Sequence, residues 1–262
     1  MRAAVADERE RRLAVQGRQR PAAADVSVVV TAVNETFSLR QTVEVLVEEN
    51  SDDMAEIIVT IAPRTTSECR TVAAELLAEH PDLLWVHTQQ KPFIGGAIQE
   101  AFDLACGTYT VMMASDLETD PHLVRELIRE IRETGADVVT ASRWARGGGF
   151  SDYHPMKLVL NWTFQTMMRV LFLTSLSDLT YGFRIFRTEL LREIRWEELK
   201  HPFLLETVVK PLRLGRRVVE IPVSWSPRPE GASQMTPLTY VGYFRLALRT
   251  RLRPRSAARR SA

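Results

Sequence analysis

Three carboxylates follow a short apolar segment near the middle of the chain. Residues 109–113 are almost entirely apolar, and Asp116, Glu118 and Asp120 come directly after them. Two carboxylates at this spacing, just past the end of a strand, can reach one divalent cation, and such hard oxygen ligands suit Mg²⁺ or Mn²⁺. Asp116 and Glu118 are therefore the predicted metal ligands. The alternative is an ordinary polar loop, in which Asp120 caps a helix that begins at Pro121.

The segments around this loop alternate between strand and helix patterns. Continuous apolar, β-branched runs are typical of strands buried on both faces of a parallel sheet. Helical segments of 10–15 residues separate them, which indicates βαβ units with right-handed crossovers. The predicted fold is therefore α/β, with a mostly parallel central sheet flanked by helices. The runs that predict strands lie at 26–33, 56–62, 83–87, 109–113 and 137–142.

Polar side chains follow several of these predicted strands. Asn34 and Glu35 come after the first strand, Asp116 and Glu118 after the fourth, and Arg143 after the fifth. Ligands of parallel sheets bind beyond the carboxyl ends of the strands. We therefore expect these five residues to share one edge of the sheet.

Composition limits the class of protein. At 262 residues, one large α/β domain, or one domain plus appendages, is expected. The chain is 45% hydrophobic and 26% charged, as in globular proteins, and its net charge of +1 gives no reason to expect nucleic acid as a partner. Cys69 and Cys106 lack metal-type spacing. Residues 1–24 are polar, without the apolar core of a signal peptide, and are predicted to be disordered. We therefore expect a cytoplasmic protein.

The C-terminal end is basic. Residues 245–262 carry seven arginines and no acid, so the segment 253–262 is predicted to be a basic tail. Such a tail is either solvated or attracted to anionic lipid head groups, which would place the protein peripherally at the inner face of the membrane.

The segment 156–176 is strongly apolar but contains regularly spaced polar residues. Lys157, Asn161, Gln165 and Arg169 recur at helical spacing, and Arg169 argues against a membrane span. The segment is predicted to be a helix that is either buried or lies at a membrane interface.

Several short motifs occur in a fixed order along the chain. They are Asn34–Glu35, Gly95–Ala97, Ala114–Pro121, Ser142–Trp144, Asn161, Asp178–Arg184, Phe203–Glu206, and Arg228 followed by 231–233. Together they resemble family 2 glycosyltransferases of the GT-A fold, and within that family the polyprenyl-phosphate sugar synthases. The resemblance implies one GT-A domain over 25–252. It also implies an inverting, Mg²⁺- or Mn²⁺-dependent transfer from a nucleotide-diphosphate sugar to a polyprenyl phosphate or a small-molecule hydroxyl.

The same resemblance assigns roles to individual residues. Arg143, Lys157 and Arg228 are candidate clamps for the diphosphate, because cations best stabilise such a leaving group. Arg228 lies in a loop that closes over the donor in the resembling family, and Ser233 follows it. A phosphate acceptor needs no strong base, whereas a hydroxyl acceptor needs one. The candidate bases and catalytic carboxylates are Asp178 and Glu206, and Asn34 and Glu35 are expected to contact the donor.

The chain departs from the family pattern at two places. Ala114 replaces the first aspartate of the metal motif, and Ile61-Ala62 replaces the aspartates that contact the nucleotide. Arg64, in the loop that follows, is the residue that could read the nucleotide instead. Two alternatives therefore stay open. One is a catalytically degenerate binding or scaffold protein, and the other is a different sugar-nucleotide enzyme such as a nucleotidyltransferase.

Overall fold

A seven-stranded sheet forms the centre of the protein in the computed structural model, which describes residues 24–230 and 237–260. The strand order is β3-β2-β1-β4-β7-β5-β8, and a separate two-stranded sheet pairs β6 with β9. The strands are β1 Val26–Ala32, β2 Met54–Ile61, β3 Leu84–Thr88, β4 Tyr109–Ala114, β5 Val138–Ser142, β6 Gly149–Phe150, β7 Arg184–Arg187, β8 Val218–Pro222 and β9 Ser224–Trp225.

Helices cover both faces of the sheet, because its strands expose apolar side chains on each side. They are α1 Phe37–Asn50, α2 Ser67–Glu79, α3 Phe93–Leu104, α4 Val124–Thr134, α5 Pro155–Phe172, α6 Thr188–Glu193, α7 Phe203–Arg213 and α8 Pro237–Leu252. Two 3₁₀ turns, Pro121–Leu123 and Arg255–Ala258, complete the secondary structure of the described residues.

The central strands bring two polar loops together. β1 pairs in parallel with both β2 and β4, and Thr31 lies opposite Ala114 at the end of the second pairing. Because these strand ends are adjacent, Glu35 after β1 and Asp116 after β4 start from neighbouring positions. The sheet therefore positions the carboxylates that the sequence places at its edge.

The sheet is mostly parallel, as predicted, but β7 is an antiparallel strand that the apolar patterns did not indicate. It lies between β4 and β5 and pairs with both. Arg184 in this strand is fully buried, and its guanidinium donates to Thr140 Oγ1 at 2.8 Å and to the carbonyl of Leu179 at 3.1 Å. A buried arginine interrupts the apolar pattern of a strand, and the hydrogen bonds that offset its burial, such as the one to Thr140 44 positions earlier, are not visible in the local sequence.

The glycine pair was predicted to precede α3, but both glycines lie inside it. The helix begins at Phe93, and Gly95 packs against the backbone before α7. A Cβ at Gly95 would lie 2.6 Å from the carbonyl oxygen of Glu198, so only glycine permits this approach.

The basic segment after α8 contacts the body of the protein. Arg195 N donates to the carbonyl of Ala258 at 2.9 Å, and Arg260 N donates to the carbonyl of Glu193 at 2.7 Å. Within the two described ranges, no helix is long and apolar enough to cross a membrane.

Candidate active site

The acidic loop after β4 turns so that two carboxylates lie close together. Leu117 adopts φ +56°, a left-handed conformation that is uncommon for a bulky residue, between Asp116 and Glu118. The backbone N–H of Glu118 donates to Asp116 Oδ1 at 3.2 Å and fixes this turn. Asp120 caps the next turn by accepting from His122 N at 3.0 Å, which confirms the predicted cap before Pro121.

A guanidinium from a distant loop lies against both carboxylates. Arg228 donates to Glu118 Oε1 through Nε at 2.9 Å and through Nη2 at 2.7 Å. The same Nη2 lies 3.1 Å from Asp116 Oδ2. The loop is also tied through its backbone, since Ser226 N donates to the carbonyl of Glu118 at 3.3 Å. The loop of Arg228 therefore lies directly over the acidic loop.

Negative charge is concentrated at this point. Burial and the neighbouring Glu118 raise the pKa of Asp116 to about 6, against the opposing effect of Arg228. Glu35 adds to the same field, and its Oε2 accepts from Val33 N and Asn34 N at 2.6 and 3.0 Å. The site thus holds more negative charge than its one contacting guanidinium neutralises.

A second ion pair lies in the interior beside this loop. Arg143 donates to Asp178 Oδ2 through Nε at 2.7 Å and to Oδ1 through Nη2 at 3.1 Å. Asp178 is fully buried; burial alone would raise its pKa, but the charge and hydrogen bonds of Arg143, with the backbone N–H of Thr180, hold it below its usual range. The arrangement is that of a carboxylate that orients a guanidinium.

Tyr181 connects the ion pair to the acidic loop. Its ring lies 4.6 Å from the guanidinium of Arg143, and its hydroxyl donates to the carbonyl of Glu118 at 3.2 Å. Its backbone N–H donates to Asp178 Oδ1 at 3.2 Å. Tyr181 falls within a motif quoted from the sequence, but no sequence pattern assigned it this linking role.

The inner face of α5 reaches the same ion pair. Gln165 Nε2 donates to Asp178 Oδ1 at 3.1 Å, and Gln165 Oε1 accepts from Leu179 N at 2.9 Å. One turn earlier, Asn161 Oδ1 accepts from Trp144 Nε1 at 3.0 Å. Asn161 and Gln165 therefore pack α5 against the site, as their helical spacing allows.

Other predicted site residues lie apart from this cluster. Asn34 and Arg64 are exposed at the ends of β1 and β2, and Lys157 is exposed in the first turn of α5. Burial, Arg228 and Arg64 lower the pKa of His201, so the two arginines lie near one histidine. Ser233, which was predicted to contact the donor, lies outside the described residues.

Glu206 has partners of its own. It is fully buried on α7, and its carboxylate lies 2.6 Å from Lys210 Nζ and accepts from the backbone N–H of Glu198 at 2.9 Å. These partners belong to the segment before α7 and to α7 itself, and none is a predicted site residue. These contacts give Glu206 a structural role, and its catalytic role stays a prediction.

Glu230 is a site residue that sequence reasoning missed. Its Oε1 accepts from Thr36 N at 2.5 Å and Ser38 N at 3.0 Å, and its Oε2 accepts from Thr36 Oγ1 at 2.9 Å. These donors form the N-terminus of α1, where a carboxylate is favoured. Two positions after Arg228, Glu230 thus anchors the same loop at the edge of the sheet.

The acidic loop fits part of a divalent cation site. Asp116 and Glu118 offer two hard oxygen ligands, and burial together with the charge of Glu118 raises the pKa of Asp116, which a bound cation would counteract. Within residues 24–230 and 237–260, no group of three or more His, Cys, Asp or Glu side chains could hold a metal ion. A cation here would need donor phosphates or water as further ligands, and Arg228 would have to move aside.

Comparison with known proteins identifies the family. The family model of glycosyl transferase family 2 matches residues 27–195, and the chain belongs to this family. Over 221 residues it is 32% identical to glycosyltransferase AglD of Haloferax volcanii. The matched residues cover 80% of this chain but only 35% of that protein. It is 26% identical over 218 residues to undecaprenyl-phosphate mannosyltransferase of Micrococcus luteus, covering 80% of this chain and 87% of that protein.

A third relative is similar in sequence, and two solved structures share the fold. Polyprenol monophosphomannose synthase of Mycolicibacterium smegmatis is 30% identical over 172 residues, which are 63% of this chain and 64% of that protein. Glucosyl-3-phosphoglycerate synthase of Mycobacterium tuberculosis, crystallised with Mn²⁺, UDP and phosphoglyceric acid, superposes with a TM-score of 0.62 at 17% identity, covering 92% of this chain and 80% of that one. Its complex with Mg²⁺ and UDP gives a TM-score of 0.62 at 18% identity, covering 92% and 81%. The GT-A fold and the glycosyltransferase class predicted from the resemblance are confirmed.

Proposed function

We propose that this protein transfers a sugar from a nucleotide-diphosphate sugar to a polyprenyl phosphate, with inversion at the anomeric carbon and with Mg²⁺ or Mn²⁺. The observation that carries the proposal is the pairing of Arg228 with Asp116 and Glu118 at the carboxyl ends of the central strands of a family 2 glycosyltransferase. The names of the two polyprenyl-phosphate enzymes among the relatives support the choice of acceptor.

Transfer to a phosphate acceptor needs no general base. An oxygen of the acceptor phosphate attacks the anomeric carbon from the side opposite the nucleotide, and the new carbon–oxygen bond forms as the bond to the donor diphosphate breaks. The diphosphate leaves with the electron pair. The acceptor phosphate is already deprotonated at neutral pH, so the low pKa and full burial of Asp178 are no obstacle.

The chain supplies cations for the leaving diphosphate. Arg228 is held on a loop at the acidic site, where it pairs with Asp116 and Glu118. Its guanidinium can contact the diphosphate once it has moved away from these two carboxylates. Arg143 is held rigidly by Asp178 through Nε and Nη2, and Nη1 takes no part in that pair. Preorganised cations of this kind act on the charge that develops in the transition state.

Asp116 and Glu118 would hold the divalent cation. When bound, that ion neutralises charge on the diphosphate oxygens and orients the donor. Ala114, which is exposed at the end of β4, adds no third ligand from the chain. We therefore expect the cation to bind weakly alone and more tightly together with the nucleotide.

The nucleotide must be recognised in a way that does not use a carboxylate after β2. Ile61 and Ala62 are buried, and Ala62 N donates to Thr65 Oγ1 at 2.8 Å. The exposed side chain of Arg64 in the same turn is the available polar contact. A nucleotide-reading role for Arg64 is therefore part of the proposal, supported by its exposure in this turn.

Two assays test the proposed function. A panel of nucleotide sugars is first screened for thermal stabilisation with and without Mn²⁺, since a ligand at 100 times its Kd adds about 2.7 kcal/mol of stability. The stabilising donor, radiolabelled in the sugar, is then incubated with polyprenyl phosphate and with soluble hydroxyl acceptors. Label extracted with the polyprenyl phosphate supports the proposal. Donor binding without transfer to any acceptor would indicate a binding protein instead.

A further inference from the structure

The outward faces of α5 and α8 expose large apolar side chains. On α5, Met156, Leu160 and Val170 are 62%, 56% and 69% exposed, and on α8, Val241, Leu248 and Leu252 are 63%, 50% and 80% exposed. We call the surface formed by these six residues the α5–α8 face. A soluble protein rarely exposes a continuous apolar surface of this kind unless it binds something.

The two helices lie side by side, so their apolar stripes form one surface. The ring of Phe164 on α5 lies 5.7 Å from that of Tyr243 and 5.4 Å from that of Phe244 on α8. Arg251 Nε donates to the carbonyl of Leu171 at 2.9 Å and joins the far ends of the helices. Phe164 is buried between them, whereas Leu160, one turn earlier, is exposed. The α5–α8 face is therefore the side of this helix pair that is turned away from the core.

The charged side chains of α5, of α8 and of the turn after α8 have one sign. Residues 155–173 and 237–260 contain no aspartate or glutamate, although the whole chain balances 34 basic against 33 acidic residues. Lys157, Arg169 and Arg245 are exposed on the two helices. An ordinary solvent-facing helix of this protein differs, since α4 alternates arginine and glutamate. Apolar stripes on two helices whose own charged residues are all cations fit the surface of an anionic bilayer.

We propose that the α5–α8 face docks onto an anionic lipid bilayer, with its apolar side chains at the boundary between head groups and acyl chains. Trp162 is 55% exposed on α5 and supplies an amphipathic ring suited to that depth. The basic tail is a weaker candidate for this contact. Arg253, Arg259 and Arg260 already lie 3.2, 3.3 and 3.0 Å from carboxylate oxygens of the protein itself.

Docking in this orientation brings the bilayer near the active site. The inner face of α5 contacts the site through Gln165, whose Nε2 donates to Asp178 Oδ1 at 3.1 Å. A bilayer on the outer face would thus lie about one helix diameter, roughly 10 Å, from the Asp178 loop. A lipid-linked phosphate at head-group level could reach the site from there. Only this link to the acceptor rests on the proposed function, because docking itself needs no sugar transfer.

Flotation of the full chain with vesicles tests the docking face. We expect binding to vesicles of phosphatidylglycerol and phosphatidylcholine, and little binding to phosphatidylcholine alone. The double variant Leu160→Gln/Leu248→Gln should lower the partition coefficient at least about tenfold, since it removes two exposed apolar side chains without disturbing the core. Phe93→Gln is the matched control, because Phe93 is 51% exposed outside the face, and it should bind like the wild type. Equal binding by the double variant and the wild type would overturn the proposal.

A second measurement locates the contact and separates other occupants. Brominated lipids should quench tryptophan fluorescence of the wild type, and Trp162→Phe should lose much of that quenching while still floating. A wild type that does not float but dimerises, with Leu160→Gln/Leu248→Gln monomeric by light scattering, would overturn the proposal in favour of a second copy. Both measurements are independent of turnover, so a protein that floats as expected but transfers no sugar would contradict only the proposed function.

Discussion

Arg228 and Glu118 lie 110 positions apart in the chain, yet the guanidinium of the first contacts one carboxylate oxygen of the second at 2.9 and 2.7 Å. Asp116 completes the contact, with its Oδ2 at 3.1 Å from the same guanidinium. Arg228 therefore occupies the position between the two carboxylates that a divalent cation would need. A cation held by Asp116 and Glu118 would therefore compete with Arg228 for these two carboxylates.

The first prediction concerns Arg228. We expect Arg228→Ala to reduce kcat at least about tenfold, roughly 1.4 kcal/mol, with a smaller effect on KM, because the lost cation acts mainly on the transition state. Arg228→Lys should recover only part of the lost kcat, since an ammonium cannot make a bidentate contact. In the absence of donor, Arg228→Ala should bind Mn²⁺ more tightly than the wild type, which calorimetry measures. Unchanged kcat together with unchanged Mn²⁺ affinity would remove Arg228 from the mechanism.

The second prediction concerns Asp116. Asp116→Asn should abolish metal-dependent transfer while the protein stays folded, because it removes one charged ligand and leaves a side chain of nearly the same size in the loop. Its effect on stability should depend on pH. The folded pKa of about 6 lies above the ordinary value of 3.8, so the folded state binds the proton more tightly and the wild type loses stability as pH rises from about 4 to 6.

Thermal unfolding in EDTA measures this pH dependence. The melting temperature of Asp116→Asn relative to the wild type should rise between pH 4 and pH 7, since asparagine carries no charge to bury. A difference in melting temperature that stays constant over this pH range would show that folding does not raise the pKa of Asp116. Full transfer activity in Asp116→Asn would contradict its role as a metal ligand.

The sheet and its polar edge could be predicted because their signals are local. Each buried parallel strand appears as a short β-branched run, and the carboxyl ends of such strands must meet at one edge. This reasoning correctly brought Glu35 and Asp116 together. It missed β7, because Arg184 within that strand is buried and its partner Thr140 lies 44 positions earlier in the chain.

The contacts that complete the site could not be predicted for the same reason. Glu230 appears in the sequence as one acidic residue between a proline-rich stretch and a glycine. Its function as an anchor depends on Thr36 and Ser38, which lie nearly two hundred positions earlier. The family motif likewise identified Asp178 as a candidate base, whereas its burial and its pairing with Arg143 follow only from the tertiary structure.

The third prediction concerns Asp178. Asp178→Asn should reduce the free energy of unfolding by about 3–5 kcal/mol, because it leaves the buried guanidinium of Arg143 without its partner. Arg143→Met/Asp178→Leu should recover part of this loss, since neither charge then remains buried. Urea unfolding of the single and double variants measures both effects. A stable Asp178→Asn protein whose pH–rate profile loses its acidic limb would instead identify Asp178 as a general base.

The fourth prediction concerns Glu230, which anchors the loop of Arg228 at the N-terminus of α1. Its backbone and hydroxyl donors, Thr36 and Ser38, lower its pKa although burial opposes this, so the anchor is charged at neutral pH. Glu230→Ala should lower kcat/KM several-fold, because the loop then lies less often over the site, from where the side chain of Arg228 can turn from the carboxylates to the diphosphate. Glu48→Ala, an exposed glutamate on α1 outside the site, is the matched control and should leave kcat/KM unchanged.

A double-mutant cycle decides whether Glu230 acts through Arg228. If it does, adding Glu230→Ala to Arg228→Ala should cause no further loss, since residues that act as one unit are not additive. The melting temperature is measured in parallel, because the lost interaction with the N-terminus of α1 is itself worth about 0.3–2 kcal/mol at this partly buried site. Additive losses in kcat/KM would mean that Glu230 affects turnover by a route independent of Arg228. A loss that follows the melting temperature alone would reduce Glu230 to a stabilising contact.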